Sequence, residues 1–182
     1  MNWRVAAEFA AFQAVWLACA LGAARGSNVP GLLAASTFIA LQLLRQPSRP
    51  AILAMLASGI VGFVVESLLA GTGVLRYAAS WPSPHLAPAW IVALWMAFGI
   101  TLATTARLLT AHALPKAGIL GAVFGPLSYV AGAQLGALDF AAAGWITVSA
   151  VAAIWALSFP GLLALRLWLE MGSSPCRVLK SP

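Results

Sequence analysis

The chain has 182 residues, 62% of them hydrophobic and 8% charged, and a formal net charge of +6. A soluble domain carries about 25% charged residues to solvate its surface, so this composition excludes a water-soluble globule and requires lipid around most of the protein. The ten basic residues stand one or two at a time between apolar runs, with no basic stripe, and this excludes a nucleic-acid partner.

A membrane-crossing helix needs about 20 apolar residues, and six candidate spans follow one another: 5–24, 29–44, 51–70, 90–109, 116–138 and 141–165. In the first, Glu8 and Gln13 interrupt any signal-peptide core, so it is read as a retained span. "WLAC", ending at Cys19, resembles a lipoprotein box, but Trp16 stands where that box needs a small aliphatic residue. Cys19 and Cys176 have neither CxxC spacing nor histidine partners, so neither a disulfide framework nor a metal site is expected.

The third span carries Gly59, Gly62 and Glu66 on one face, with Glu66 about 22 Å in from Ala51. After it, residues 71–88 form the longest connection, where prolines 82, 84 and 88 exclude a regular helix. Tyr77, Trp81 and Trp90 there suit the headgroup zone, as parts of an interfacial cap. In the fifth span Ala117, Gly121, Gly125, Ser128, Gly132 and Gly136 recur at steps of three and four. Such a stripe of small residues lets a neighbouring backbone approach closely, and it predicts that this helix is the hub of the bundle. Pro126 and Pro160 are expected to bend the fifth and sixth spans. Asp139 reads as a cap before the sixth. Trp16, Trp145 and Trp155 read as packing residues.

With the N-terminus inside, eight basic residues fall in inner loops and only Arg25 and Arg76 in outer ones. This asymmetry places both termini in the cytoplasm. The expected fold is an all-α polytopic protein, a six-helix transmembrane bundle over residues 1–171 with a cytoplasmic tail at 172–182.

Glu66 is the ionisable residue hardest to place in lipid. Intramembrane carboxyls usually face the interior and mark function, although a protonated Glu66, or one paired with Arg76 at the interface, is the plainer alternative. By height, Tyr129 (about 20 Å from Lys116), Gln134 (about 27 Å) and Trp95 reach the same outer half. The candidate pocket is therefore Glu66, Tyr129, Gln134, Trp95, Arg76 and His85. Interhelical hydrogen bonding alone would equally explain Tyr129 and Gln134. Nucleotide-binding and hydrolase motifs are missing, and Glu66 with His85 is the one acid–base pair that heights permit. No catalytic residue, cofactor or metal ligand is assigned.

Several stretches, "FQAVW", "ESLLAGTGVLRY", "PAWIVALWMAFGITL", "LGAVFGPLSYVAGAQLGA" and "IWALSFP", together resemble the bacterial membrane family known as domain of unknown function 2878. The chain departs from that pattern with Glu66 where Asp is more usual and Phe124 where a glycine often stands. The resemblance implies a small multipass protein of the bacterial inner membrane without an assigned activity. A repeat between "RPAILAMLASGIVG" and "LPKAGILGAVFGP" is a weaker reading, because apolar text matches itself easily.

The expected function is a non-enzymatic membrane factor binding membrane lipids, another integral membrane protein or a second copy through the Glu66 pocket. The alternatives are a transporter subunit using Glu66 and a small intramembrane enzyme of acyl-chain modification. The orientation has a direct check. A reporter active only outside the cytoplasm is expected to be active when inserted in the 71–88 loop and silent at the C-terminus; the reverse pattern would overturn the orientation.

Overall fold

The computed structural model describes residues 3–173. The expected tail beyond Ser173, with Cys176, Arg177 and Lys180, lies outside the described residues. The order is α1 (Trp3–Ala24), α2 (Val29–Arg45), α3 (Arg49–Gly71), β1 (Leu75–Tyr77), α4 (Ala89–Leu109), α5 (Ala113–Gln134), β2 (Leu138–Phe140) and α6 (Gly144–Ser173). The chain is thus all-α apart from two short strands. Five of the helices are long and apolar enough to cross a membrane, and α2, at 17 residues, is the shorter one.

Local chemistry sets the helix ends. Ser48 caps α3 by accepting the Ala51 N–H at 3.3 Å, and Pro30 and Pro50 stand in first turns, where a missing N–H costs nothing. Helices α1, α3 and α5 each end on a glycine of positive φ, Gly26, Gly73 and Gly136. At each, the two N–H groups at and after the glycine bond back to helix carbonyls, as Gly136 to Ala133 and Ala137 to Gly132. This geometry releases the chain sharply from α3 into β1 and from α5 into β2.

The two strands pair antiparallel, Leu75 with Phe140, Arg76 with Asp139 and Tyr77 with Leu138. Alternation turns Leu75 and Tyr77 inward and Arg76 outward. Asp139 therefore sits exposed in β2, ahead of α6, instead of capping that helix. Of the residues expected in an interfacial cap, Tyr77 and Trp90 are buried within the protein and Trp81 is exposed.

Helix α4 touches α1, α2, α3 and α6, whereas α5 packs chiefly on α6. The centre of the fold is thus α4, and the expectation that the fifth helix is the hub does not hold. The opposite face of α5, with Ile119, Val123, Phe124 and Leu127, is exposed. Its buried face runs through Ala117, Gly121, Gly125, Tyr129 and Gly132. The stripe read from small residues differs at two places: Tyr129 takes the buried position and Ser128 is only half-buried, and Gly136 lies beyond the helix end. Ser128 Oγ donates to the Gly125 carbonyl at 2.7 Å, which satisfies it within the helix. Pro126 and Pro160 both lie inside helices, and Pro126 is buried.

Glycines set how near the helices come. A Cβ on Gly121 would run into the Trp155 carbonyl, and one on Gly125 would stand 2.5 Å from the Trp155 ring. Similarly Gly62 faces Trp95, Gly59 faces Met96 at 2.7 Å, and Gly99 faces Ser58 Oγ at 2.5 Å. Overpacking of this kind costs about 1–3 kcal/mol. Gly121→Val is expected to lower the melting temperature in detergent by roughly 5 °C. Ile119→Val, on the exposed face of the same helix, should leave it unchanged; equal effects would contradict the packing described.

Candidate functional site

The site grows from the placement of Glu66 five residues before the end of α3, on the face turned toward α4, where Tyr129 of α5 also reaches it. It is completely buried. A carboxyl so placed must find hydrogen bonds inside the protein, since an unpaired one costs several kcal/mol. Three donors supply them. Trp95 Nε1 of α4 donates to Glu66 Oε1 at 2.7 Å. The Tyr129 hydroxyl of α5 donates to the same oxygen, and the Tyr77 hydroxyl of β1 donates to Oε2. One side chain of α3 thereby ties together α4, α5 and the ribbon.

Each donor is positioned by its own element. Trp95 lies over Gly62, where the missing side chain makes room for the indole one turn before Glu66. Its ring stacks on Trp155 of α6, with centroids 4.5 Å apart and planes at 20°. Phe98 stands edge-on to Trp155 at 5.3 Å and to Phe159 at 5.1 Å, which continues the aromatic packing toward α6. Tyr129 is reached from the buried stripe of α5. Tyr77 owes its position to the strand, because only alternate residues of Leu75–Tyr77 turn inward.

Burial foremost, then the neighbouring Glu66 carboxyl and Tyr129, holds the Tyr77 phenol well above its ordinary range. Tyr77 therefore remains a neutral donor throughout the physiological range.

A second group of bonds closes the outer side. Asn28, between α1 and α2, donates from Nδ2 to the Ala79 carbonyl at 3.0 Å and accepts the Trp90 N–H at 3.3 Å. Trp90 Nε1 donates to the Ala78 carbonyl at 3.2 Å, and its ring meets Tyr77 edge-on at 6.2 Å. Ser67 Oγ accepts the Ala87 N–H at 3.0 Å. The 71–88 connection is thus pinned at both ends above Glu66.

Of the residues expected to converge, Glu66, Tyr129 and Trp95 meet directly. Gln134, Arg76 and His85 do not: all three are exposed, Gln134 on the last residue of α5, Arg76 on the outward side of β1 and His85 in the connection. Height along a helix put them level with Glu66, but facing decided otherwise. Tyr77, Asn28 and Trp155 were not assigned to the site from the sequence. Alternation in "LRY" after a Gly-terminated helix is the signal that could have found Tyr77. Glu8, near the inner end, accepts the Thr104 hydroxyl at 2.8 Å and so joins α1 to α4.

Among the described residues no three of His, Cys, Asp and Glu come together. The cluster around Glu66 is a hydrogen-bonding group with one ionisable acid at its centre. A cleft of about 350 Å³ opens elsewhere, between α2, α3 and α4. Leu32, Ala35, Ile39, Phe63, Val92 and Met96 contribute its apolar walls, Pro82 of the connection closes one part, and Ser36 is a polar contributor.

Fold and site together define a multipass α-helical membrane protein organised around a buried carboxyl. The profile of the family described as protein of unknown function (DUF2878) matches residues 5–161, and the chain belongs to that family. No curated protein and no solved structure matches the chain.

Glu66→Leu strands three buried donors, each costing about 1–3 kcal/mol, so the melting temperature should fall by roughly 10 °C or more. Tyr77→Phe leaves Oε2 without its donor, since Trp95 and Tyr129 both bond Oε1, and should cost about 1–3 kcal/mol, or roughly 3–6 °C, less than the loss of all three bonds. Equal losses in the two variants would contradict the network. Because the folded-state pKa of Tyr77 is raised, its stabilisation is complete below the unfolded value of about 10 and is lost as pH rises beyond it. Tyr77→Phe should accordingly flatten the fall in stability above that pH, measured by alkaline melting curves.

Proposed function

We propose that the protein is a non-enzymatic factor of the bacterial inner membrane, with both termini in the cytoplasm, that holds a lipid acyl chain in the cleft between α2, α3 and α4. The observation that carries this reading is the division between a closed polar centre and an open apolar cleft. The Glu66 oxygens are taken by protein donors, which argues against Glu66 as the direct ligand group. The cleft, at about 350 Å³, has the size of a small-molecule site and walls suited to a hydrocarbon chain. Phe63 stands one turn before Glu66 on α3, and Met96 follows Trp95 on α4. The network thus supports the cleft walls from behind.

His85 is exposed in the connection and is not among the three donors to the carboxyl, which argues against the acid–base pair that the enzyme reading would use. The transporter reading retains one favouring observation, an ionisable group buried among hydroxyls. Proton-driven flux in proteoliposomes that disappears in Glu66→Gln would select it.

The lipid reading is tested with a photoactivatable fatty-acid phospholipid in membranes containing the full chain. Labelling is expected on α2 and α4 peptides lining the cleft, and filling the cleft by Ala93→Trp should reduce it at least about fivefold, the scale of 1 kcal/mol in affinity. Labelling spread evenly over all lipid-facing helices, or unchanged in Ala93→Trp, would overturn it.

A further inference from the structure

Residues 49–109 and 113–173 share one plan: α3 and β1 match α5 and β2 residue by residue at an offset of 63, and the last helices match at an offset of 60, which brings Trp95 onto Trp155. The glycines that end α3 and α5, Gly73 and Gly136, stand 63 positions apart and lead into the strands Leu75–Tyr77 and Leu138–Phe140 at the same spacing. Moved by 63 positions, the buried residues Ala54, Ser58, Gly62, Glu66 and Leu69 of α3 each fall on a buried residue of α5, with Glu66 falling on Tyr129.

The contacts between the segments obey the same correspondence. The ribbon pairs Arg76 with Asp139, its own counterpart, so the strands cross at equivalent positions, as a two-fold axis requires. Gly62 faces Trp95 and Gly125 faces Trp155, and these two indoles stack on one another. Glu66 and Tyr129, also counterparts, are hydrogen-bonded to each other. The centre of the site is therefore built from pairs of equivalent residues meeting across one line.

One buried donor is left over. Trp155 Nε1 makes no hydrogen bond of good geometry although it is shielded from solvent, a rare situation in native proteins, and the Tyr129 hydroxyl is the polar group beside it. The correspondence explains it, because Trp95 Nε1 donates to the acid at 66, while position 129 carries a tyrosine already engaged with Glu66.

We infer that the two segments are copies of one helix–strand–helix unit related by an approximate two-fold axis, and that Trp155 belongs to the Glu66 site as the counterpart of Trp95. The site holds one carboxyl for two equivalent places, and Trp155 is a positioning residue able to serve the second. Its other half differs at Phe140, which lacks the hydroxyl of its counterpart Tyr77. The Glu66 centre lies where the two segments meet, since Tyr129 of the second segment and Trp95 of the first both bond Glu66 Oε1. This inference is independent of the lipid reading.

The test moves the carboxyl across the axis in the full chain and reads melting temperature in detergent by tryptophan fluorescence. Tyr129→Glu alone sets two carboxyls side by side and should be strongly destabilising. Adding Glu66→Tyr should raise the melting temperature above that single variant by roughly 5 °C. In this pair Trp155→Phe should become costly and Trp95→Phe mild, the reverse of the parent protein, an exchange that a purely space-filling role for Trp155 would not produce. A pair melting no higher than Tyr129→Glu, or tryptophan sensitivities that do not exchange, overturns the inference. If the pair does not fold, Glu66→Gln with Tyr129→Glu poses the same question with a smaller steric change. Failure of both pairs to exceed the single variant also overturns it.

Discussion

A carboxyl group removed from water and from every cation has to be satisfied by hydrogen bonds, and the structure is arranged around that requirement. Among the described residues no basic side chain pairs with Glu66, and Arg76 points outward from the strand that follows it. Two tyrosine hydroxyls and an indole N–H do the work instead. They come from three separate elements, so the demand of one side chain fixes where α4, α5 and the ribbon stand relative to α3. In an apolar surrounding such bonds are harder to exchange for water than on a soluble surface.

Small residues make the arrangement sterically feasible. Gly62 admits Trp95 and Gly125 admits Trp155, so both indoles can lie flat against helices and against each other. Without a hydrophobic driving force between helices in lipid, this close contact and the hydrogen bonds it permits are what hold them together. Bulk at Gly62 would push Trp95 away from the centre and lengthen its bond to Glu66, and bulk at Gly125 would displace the stacked Trp155. The apolar cleft proposed to hold an acyl chain lies on the other side of the same walls.

Much of this was legible in the residues. Charge-poor runs bounded by Pro, Gly and Arg located all six helices to within a few residues, except that α5 starts earlier and ends earlier, and α6 runs further, than composition suggested. Depth along the helix singled out Glu66, Tyr129 and Trp95 correctly as neighbours in height. Facing was less legible. The small-residue pattern accepted Ser128 because it matched in size, while the burial of Tyr129 follows from its partner on another helix. Tyr77 was hidden for a different reason: the alternation in its three-residue strand is short, and which of its faces turns inward depends on pairing with a strand 63 positions away. Gln134, Arg76 and His85 show the same limit from the other side, since polar residues at the right height can still face outward.

The closed state of the Glu66 network is best tested through the Trp95 indole N–H, observed by NMR in protein labelled with nitrogen-15 tryptophan in micelles. The account predicts that this proton exchanges with solvent far more slowly than that of Trp81, which is 68% exposed, and that Glu66→Leu abolishes the protection while Trp155 remains shielded. A Trp95 proton exchanging as fast as that of Trp81, or one whose protection survives Glu66→Leu, would contradict it.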